Sequence, residues 1–264
     1  TMNTTERLVV IGNGMAGMRT VEELLALSNE PDSTQYHITV FGAEPRVNYN
    51  RIQLSPVLAG EKTFDEIVIH TPQWYADNGI TLHSGDAVVK IDRTRRVVVA
   101  ASGLEVGYDR LLIATGSKPF ILPVPGKELE GVIAFRSIDD VDTMMTAAAN
   151  HTHAVVIGGG LLGLEAANGL SRPGMNVTVV HLMDSLMERQ LDKTAAKLLQ
   201  ANLETRGLNF KLQAATAELH GDELGRVKEI SFKDGSRIPA DLVVMAAGIM
   251  PNVELAKNNG IPCE

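Results

Sequence analysis

Two stretches of this sequence share one pattern, a short apolar run followed directly by glycines spaced G-x-G-x-x-G. The glycines are Gly12, Gly14 and Gly17 in the first stretch and Gly158, Gly160 and Gly163 in the second. A continuous apolar run of this length is typical of a buried parallel strand, and the apolar residues that follow recur at helical spacing. Strand, glycine turn and helix in that order are the context of a dinucleotide-binding unit. The repetition predicts two nucleotide sites in one chain.

Each glycine of such a turn has its own physical role. The first allows a tight turn, the second lets the backbone approach a pyrophosphate, and the third lets the helix pack closely on the strand. The helix N-terminus then faces the anion. The first helical turns are therefore candidate binding positions, and they contain Met15 and Ala16 in the first stretch and Leu161 and Leu162 in the second.

Composition narrows the class of protein. The formal net charge of the 264 residues is -8, which disfavours a nucleic-acid partner because phosphate binding requires clustered Lys and Arg. The sequence contains no run of about 18 apolar residues, so no membrane span is predicted. No secretory signal is visible. Cys263 is the only cysteine, so no internal disulfide is expected, and a reducing, cytoplasmic location suits the chain. The histidines lack metal-ligand spacing, so no metal site is expected.

The first strand–turn–helix unit is followed by an acidic and a basic candidate. Glu44 lies at the end of the predicted second strand, 27 residues after Gly17 (44 − 17), where about 20 is usual for the acid that binds the ribose diol. The alternative is a solvated Glu in a turn. Arg51 could clamp a pyrophosphate with its planar guanidinium, although on composition alone an ordinary surface arginine is the simpler interpretation.

At the matching position of the second unit the sequence has His181 instead of an acid. A carboxylate there would hold the adenosine ribose 2′-hydroxyl, as in NAD sites. His181 leaves the choice between NADH and NADPH open, and a histidine that only caps the strand is an equal alternative. Asp184 is a candidate for the missing acid.

The two halves of the chain resemble each other beyond the glycine turns. Each continues with short strands and polar turns and ends with an apolar strand and a small-residue turn, at Thr115-Gly116 and at Gly248. Pro119, Pro123 and Pro125 mark a linker. We therefore predict an α/β fold with two Rossmann-like domains of the three-layer ββα type, the second inserted in the first. The predicted bounds are 1–119 and 120–248, with 249–264 returning to the first domain.

These ordered motifs resemble the pyridine nucleotide–disulfide oxidoreductase superfamily, over the whole chain. The resemblance implies FAD on the first unit and NAD(P)H on the second. It implies that the FAD site contains the three glycines of the first turn with Glu44, Arg51, Val88, Thr115 and Gly116. It implies that the three glycines of the second turn receive the NAD(P)H pyrophosphate, places Glu165 near the nicotinamide and puts Gly248 in a second turn of close approach. Leu161, Leu162 and His181 remain candidate positions of this site on the sequence pattern.

One departure from the superfamily carries information. The classical disulfide reductases have a redox-active C-x₄-C after the first strands, and this chain has no cysteine there. The resemblance therefore points to the rubredoxin- and ferredoxin-reductase-like branch, which passes electrons to a carrier. Within it, the stretch Tyr49 to Glu61 is similar to the large-subunit family of NAD(P)H-dependent nitrite reductases. Related reductases have a lysine where Pro56 stands, so a lysine contact to flavin is not expected.

The resemblance also implies a longer protein. A later Gly-Asp motif that contacts the flavin, an interface domain, and cysteine-rich segments for iron–sulfur and sirohaem centres are expected beyond Glu264, so weak flavin retention is expected. The predicted partners are NAD(P)H and either those downstream domains or a small electron carrier, while a homodimer is left open. The predicted function is electron transfer from NAD(P)H through FAD to nitrite reduction. The alternatives are a stand-alone rubredoxin or ferredoxin reductase and a non-catalytic nucleotide-binding module.

Overall fold

The computed structural model describes residues 5–30 and 33–264. The chain divides into two compact units. The first contains the residues up to Arg51, Ile67–Ser117 and Pro251–Glu264, and the second contains Ile52–Glu66 and Lys118–Met250. The segment Ile52–Glu66 thus lies with the second unit. The sequence predicts instead that it belongs to the first domain, residues 1–119.

The first unit is built on a four-stranded parallel sheet in the order β3-β2-β1-β7. Its strands are β1 (Thr5–Ile11), β2 (Gln35–Gly42), β3 (Thr81–Ser84) and β7 (Arg110–Ile113). Helix α1 (Met15–Leu27) connects β1 to β2, and the short helices α4 (Pro72–Asp77) and α8 (Glu254–Asn258) belong to the same unit. A three-stranded antiparallel sheet contains β4 (Val88–Asp92), β5 (Val97–Ala100) and β6 (Glu105–Gly107).

The second unit repeats this plan around a five-stranded parallel sheet in the order β12-β11-β10-β16-β9. Its strands are β9 (Val132–Ala134), β10 (His153–Ile157), β11 (Asn176–Val180), β12 (Asn209–Lys211) and β16 (Leu242–Met245). Its helices are α2 (Leu54–Leu58), α5 (Ile138–Asn150), α6 (Leu161–Ser171) and α7 (Lys193–Thr205). An antiparallel sheet contains β13 (Thr216–Gly221), β14 (Val227–Phe232) and β15 (Arg237–Pro239).

The remaining elements stand where the chain passes from one unit to the other. Helix α3 (Phe64–Ile67) ends the short segment that belongs to the second unit. Strands β8 (Ser117–Pro119) and β17 (Ile249–Pro251), where the chain leaves and re-enters the first unit, pair with each other. The predicted fold class, two Rossmann-like units with one inserted in the other, is confirmed.

The apolar strands have no polar face because each parallel sheet is covered on both sides. On β1, Val10 packs in the core beneath α1, while its neighbour Val9 packs in the core beneath the antiparallel sheet. Val155 of β10 likewise packs against the antiparallel sheet of its own unit. Each fully buried side chain of this size contributes about 1.5–3 kcal/mol to the free energy of unfolding. This burial explains the continuous apolar runs in the sequence.

The sequence predicts a helix over residues 138–149 with a cap near Ser137, and the structure confirms it as α5. Ser137 accepts a hydrogen bond from the backbone N–H of Asp140, and the Asp140 carboxylate accepts from the Ser137 N–H at 2.8 Å. This reciprocal pair satisfies two helix N-terminal donors. Among the helices within residues 5–30 and 33–264, none combines the length and the apolar character needed to cross a membrane.

A surface ion pair at the edge of the first parallel sheet supplies a pH-dependent prediction. The Arg7 guanidinium hydrogen bonds to Asp109, the Arg7 backbone N–H donates to it at 2.8 Å, and together they lower the pKa of Asp109 to about 2. Because this pKa is depressed, the stabilisation is present above the unfolded pKa of about 3.9 and is lost as pH falls towards 2.

We expect Arg7→Met to raise the pKa of Asp109 part of the way back, since the backbone donor remains. An NMR titration of the Asp109 carboxyl carbon measures this. The pKa of Asp222, which is lowered by backbone N–H groups in the second unit, serves as the control and should not move. An unchanged Asp109 midpoint in the variant would show that the side chain of Arg7 is not the cause.

Candidate dinucleotide-binding sites

The turn after β1 has a backbone conformation that requires glycine. Gly12 has φ +117°, and an added Cβ would collide with the carbonyl oxygen of Ala114 at the end of β7. The Gly12 N–H donates to the carbonyl oxygen of Phe41 at 2.8 Å, which ties the turn to β2. The turn is therefore closed against the carboxyl ends of its two neighbouring strands.

The next two glycines of this turn have different surroundings. A Cβ built on Gly14 meets no atom within 4 Å, so this position faces open space. A Cβ on Gly17 would lie 3.0 Å from the carbonyl oxygen of Gly12 and 3.1 Å from the Ala114 Cβ. The first glycine makes the turn, the second leaves an open approach and the third allows close packing, which is the division that the sequence pattern predicts.

Helix α1 starts after this turn without a side-chain cap. Its N-cap is Gly14, which has no side chain to accept a hydrogen bond from the first N–H groups. Other helices of this chain do have such caps, with Thr71 on α4, Ser137 on α5 and Asp192 on α7. The uncapped N–H groups and the positive end of the helix dipole can receive an anion at the open face of Gly14.

The turn after β10 repeats this geometry in the second unit. Gly158 has φ +128°, and a Cβ there would collide with the carbonyl oxygen of Ala246 after β16. A Cβ on Gly160 meets nothing within 4 Å, whereas one on Gly163 would collide with the carbonyl oxygen of Gly158. Helix α6 also begins without a side-chain cap, and its first residue, Leu161, is exposed.

Glu44 and Arg51, which the sequence selects separately, lie together in the first unit. The Arg51 guanidinium pairs with the Glu44 carboxylate, and both side chains are about one quarter exposed. The Tyr49 hydroxyl joins them, donating to Glu44 at 2.7 Å and accepting from Arg51 at 2.8 Å. This cluster places carboxylate acceptors and guanidinium donors side by side.

A buried polar network fixes the first glycine turn from behind. Asn13 lies between the first two glycines, and its side-chain oxygen accepts from the Tyr75 hydroxyl at 2.6 Å. The backbone carbonyl oxygen of Asn13 accepts from the Asn48 side-chain amide at 2.9 Å. Asn48 also contacts the buried His70, whose other ring nitrogen lies 2.6 Å from Glu22 on α1. His70 is thus a core residue that supports the turn.

Removing the Tyr75 hydroxyl is expected to weaken this support. Tyr75→Phe leaves an acceptor of Asn13 and the Asn48 N–H without their partner, and we expect the free energy of unfolding to fall by about 1–2 kcal/mol. Urea unfolding measures the change. Tyr36→Phe, at a partly buried tyrosine against the same core, is the matched control and should change stability less. Equal effects of the two substitutions would contradict a role for the network.

The predicted small-residue turn after β7 is held by Asn252, which the sequence pattern does not indicate. The Thr115 hydroxyl donates to the carbonyl oxygen of Asn252 at 3.0 Å, and the Asn252 amide donates back to the Thr115 carbonyl oxygen at 2.7 Å. Gly116 follows with φ +68°, and the matching Gly248 has φ +127°. Val88, predicted to contact adenine through its backbone, is buried at the start of β4.

Glu165 on α6 has one defined partner in its own unit. The Ser55 hydroxyl of α2 donates to its carboxylate at 2.8 Å. The contact requires α2 to lie against α6, and it does so where Gly169 faces Leu58 without room for a Cβ. A neutral hydroxyl therefore orients Glu165.

His181 lies directly beneath the second glycine turn. Its Nδ1 accepts from the Gly159 N–H at 3.0 Å, and its Nε2 lies 2.9 Å from the Glu188 carboxylate. Asp184, the sequence candidate for an acid, instead pairs with Lys193 at 2.7 Å. The acid beside His181 is thus Glu188, which strand and helix periodicity did not reveal. In the described part of the chain, no group of three or more potential metal ligands could hold an ion.

The geometry defines a class of protein: two Rossmann-like units, each with an open, uncapped glycine turn of the kind that binds a dinucleotide. The profile of the family described as Pyridine nucleotide-disulphide oxidoreductase matches residues 6–264. The chain belongs to this family, which confirms the resemblance seen in the sequence.

Two relatives come from Bacillus subtilis (strain 168). The chain is 50% identical over 257 residues to "Nitrite reductase [NAD(P)H]", covering 97% of this chain and 31% of that protein. It is 48% identical over 256 residues to "Assimilatory nitrate reductase electron transfer subunit", covering 97% of this chain and 32% of that protein. The chain therefore spans about a third of the length of these relatives.

Solved structures share the fold as well. The covalent putidaredoxin reductase–putidaredoxin complex contains a chain that superposes with a TM-score of 0.90 at 28% identity, covering 99% of this chain and 63% of that chain. This similarity supports the nested two-unit architecture described above.

Proposed function

We propose that this chain takes electrons from NAD(P)H onto FAD and serves as the electron-entry part of a nitrite reductase. The duplicated glycine turn carries the proposal, because each unit has one open anion-binding helix N-terminus. Bound FAD would supply the hydride acceptor for NAD(P)H and the means of passing electrons onward one at a time. The relatives named as nitrite reductase and as a nitrate reductase electron transfer subunit support this assignment.

The residues of the first unit fit an FAD. A Cβ would intrude on the open face at Gly14, so glycine there keeps room for a pyrophosphate beside the uncapped N–H groups of Met15 and Ala16. Glu44 offers carboxylate oxygens that accept from ribose hydroxyls, and Arg51 offers donors suited to phosphate oxygens. Their mutual ion pair holds both side chains in place before a ligand arrives.

The second unit fits NAD(P)H by the same test. Gly160 leaves the open face, and the exposed Leu161 and Leu162 begin the helix beside it. Glu165 would lie near the nicotinamide, held in one orientation by the Ser55 hydroxyl. We propose that the chain itself binds and orients the two cofactors and excludes water from them, because the difficult chemistry belongs to the cofactors.

The onward electron acceptor follows from the same proposal. This sequence has a single cysteine, Cys263, so an internal redox disulfide is not available to it. We propose that electrons pass to iron–sulfur and sirohaem centres of downstream domains in a cytoplasmic enzyme.

A second candidate function is that of a stand-alone NAD(P)H:rubredoxin or ferredoxin reductase. The chain is 33% identical over 258 residues to "Rhodocoxin reductase" from Rhodococcus erythropolis, covering 59% of that protein. The putidaredoxin reductase structure favours the same alternative. The two functions require the same two cofactor sites and differ only in what receives the electrons.

Calorimetric titration tests the proposal through the number of independent sites. FAD and NAD⁺ are each added to the purified chain, and then NAD⁺ is added to chain saturated with FAD. The proposal predicts one site for each ligand and an NAD⁺ affinity that FAD does not abolish. Displacement of one ligand by the other, or binding of neither, would contradict it.

A further inference from the structure

The end of β11 is the place where a Rossmann-like unit chooses between the two nicotinamide cofactors. A carboxylate there accepts from the adenosine ribose 2′-hydroxyl of NAD, whereas NADP has a phosphate at that position. His181 stands directly after Val180, the last residue of β11. The position is therefore occupied by a side chain that offers no carboxylate of its own.

The histidine instead recruits a carboxylate from the following loop. Because the Gly159 N–H donates to Nδ1 of His181, the ring proton is on Nε2 and points at the Glu188 carboxylate 2.9 Å away. The His181 side chain is 11% exposed and that of Glu188 is 32% exposed. The largely buried imidazole thus links the Gly159 backbone to Glu188, and the Glu188 carboxylate retains access to a ligand.

The backbone of this loop is shaped to bring Glu188 there. Met187 has φ +53°, an uncommon value for a residue with a side chain, and its N–H donates to the Gly159 carbonyl oxygen at 3.0 Å. Leu186, fully buried, anchors the loop one residue earlier. The Gly159 carbonyl oxygen is therefore bonded to the loop that carries Glu188, and the Gly159 N–H is bonded to His181, where that loop begins.

We propose that Glu188, oriented by His181, is the carboxylate that makes this site select NADH over NADPH. The inference rests on the proposed function of the second unit as the pyridine-nucleotide site. A carboxylate at this place accepts from a 2′-hydroxyl and repels a 2′-phosphate. The nearby Lys193 does not offset this, since its ammonium group is paired with Asp184.

Affinity measurements with NAD⁺ and NADP⁺ on the purified chain test the assignment without any turnover. We expect NAD⁺ to bind at least about ten-fold more tightly than NADP⁺. Glu188→Gln keeps the shape of the side chain and removes its charge, so it should weaken NAD⁺ binding by about ten-fold and bring the two affinities close together. Glu223→Gln, at an exposed turn of the same unit, is the matched control and should leave the ratio unchanged.

A double-mutant cycle distinguishes the positioning role of His181 from the direct contact made by Glu188. If His181 acts through Glu188, then His181→Ala combined with Glu188→Gln should bind NAD⁺ as Glu188→Gln alone does, within about two-fold. His181→Gln, whose amide can both accept from Gly159 and donate to Glu188, should retain part of the selectivity. Additive losses from His181→Ala and Glu188→Gln would contradict a positioning role.

The outcomes distinguish this inference from the function on which it rests. Selective NAD⁺ binding whose ratio survives Glu188→Gln would overturn the inference and leave the nucleotide site intact. Equal or tighter binding of NADP⁺ by the unaltered chain would also overturn it and would point to the exposed Arg189. Binding of neither nucleotide would contradict the proposed function, and the inference with it.

Discussion

Replacing Gly12 by alanine is expected to lower the free energy of unfolding of the first unit by about 3 kcal/mol or more. At φ +117° an L-residue is strained, and the new methyl group would collide with the Ala114 carbonyl oxygen. That oxygen belongs to the backbone beside β7, so the sheet itself would have to move.

The measurement uses the single tryptophan of the chain, Trp74, which lies in the first unit and packs against His70 with ring centroids 3.9 Å apart. Its fluorescence during urea unfolding therefore follows the unit that carries the substitution. Gly14→Ala is the matched control, because no atom lies within 4 Å of its added Cβ, and it should cost about 1 kcal/mol or less. Equal destabilisation by the two alanines would show that the turn is not closed as described.

Replacing Gly14 by valine is expected to have the opposite profile, with a nearly unchanged fold and a loss of FAD. The backbone at Gly14 is extended, with φ −87° and ψ −178°, so a β-branched residue fits it. Its side chain would fill the open space beside the α1 N-terminus that we assign to the pyrophosphate. We expect FAD affinity to fall at least about a hundred-fold, measured by calorimetric titration.

Gly160→Val in the other unit serves as the reciprocal control. It has the same local geometry, with φ −83° and ψ −178°, and the same empty surroundings. It should leave FAD binding unchanged and remove NAD⁺ binding, while Gly14→Val does the reverse. Retention of FAD by Gly14→Val would mean that the first turn is not the FAD site.

The glycine turns could be predicted because their chemistry is local. The spacing of Gly12, Gly14 and Gly17 already implies a turn, an open approach and a packing contact, and the structure shows each in that order. The buried strands were equally predictable, since covering a sheet on both faces requires continuous apolar sequence. The duplication of the Rossmann-like unit was predictable as well, since the same strand and glycine pattern occurs twice in the sequence.

Contacts between distant parts of the chain were not predictable in this way. Helix α2 packs in the second unit because Gly169 leaves room for Leu58, which periodicity cannot show. Glu188 meets His181 in a loop where Met187 adopts a positive φ, an unusual state that no residue pattern signals. Asn252 reaches Thr115 across 137 positions of sequence.

The most direct test of the two-site account is anaerobic mixing of the FAD-saturated chain with NADH while the visible absorption band of the flavin is recorded. Saturating FAD is used so that the flavin site is filled when NADH is added. We expect the band to bleach, and we expect Gly160→Val to abolish the bleaching with FAD still bound. A flavin band that neither NADH nor NADPH changes, in a chain that binds FAD, would contradict electron transfer between the two proposed sites.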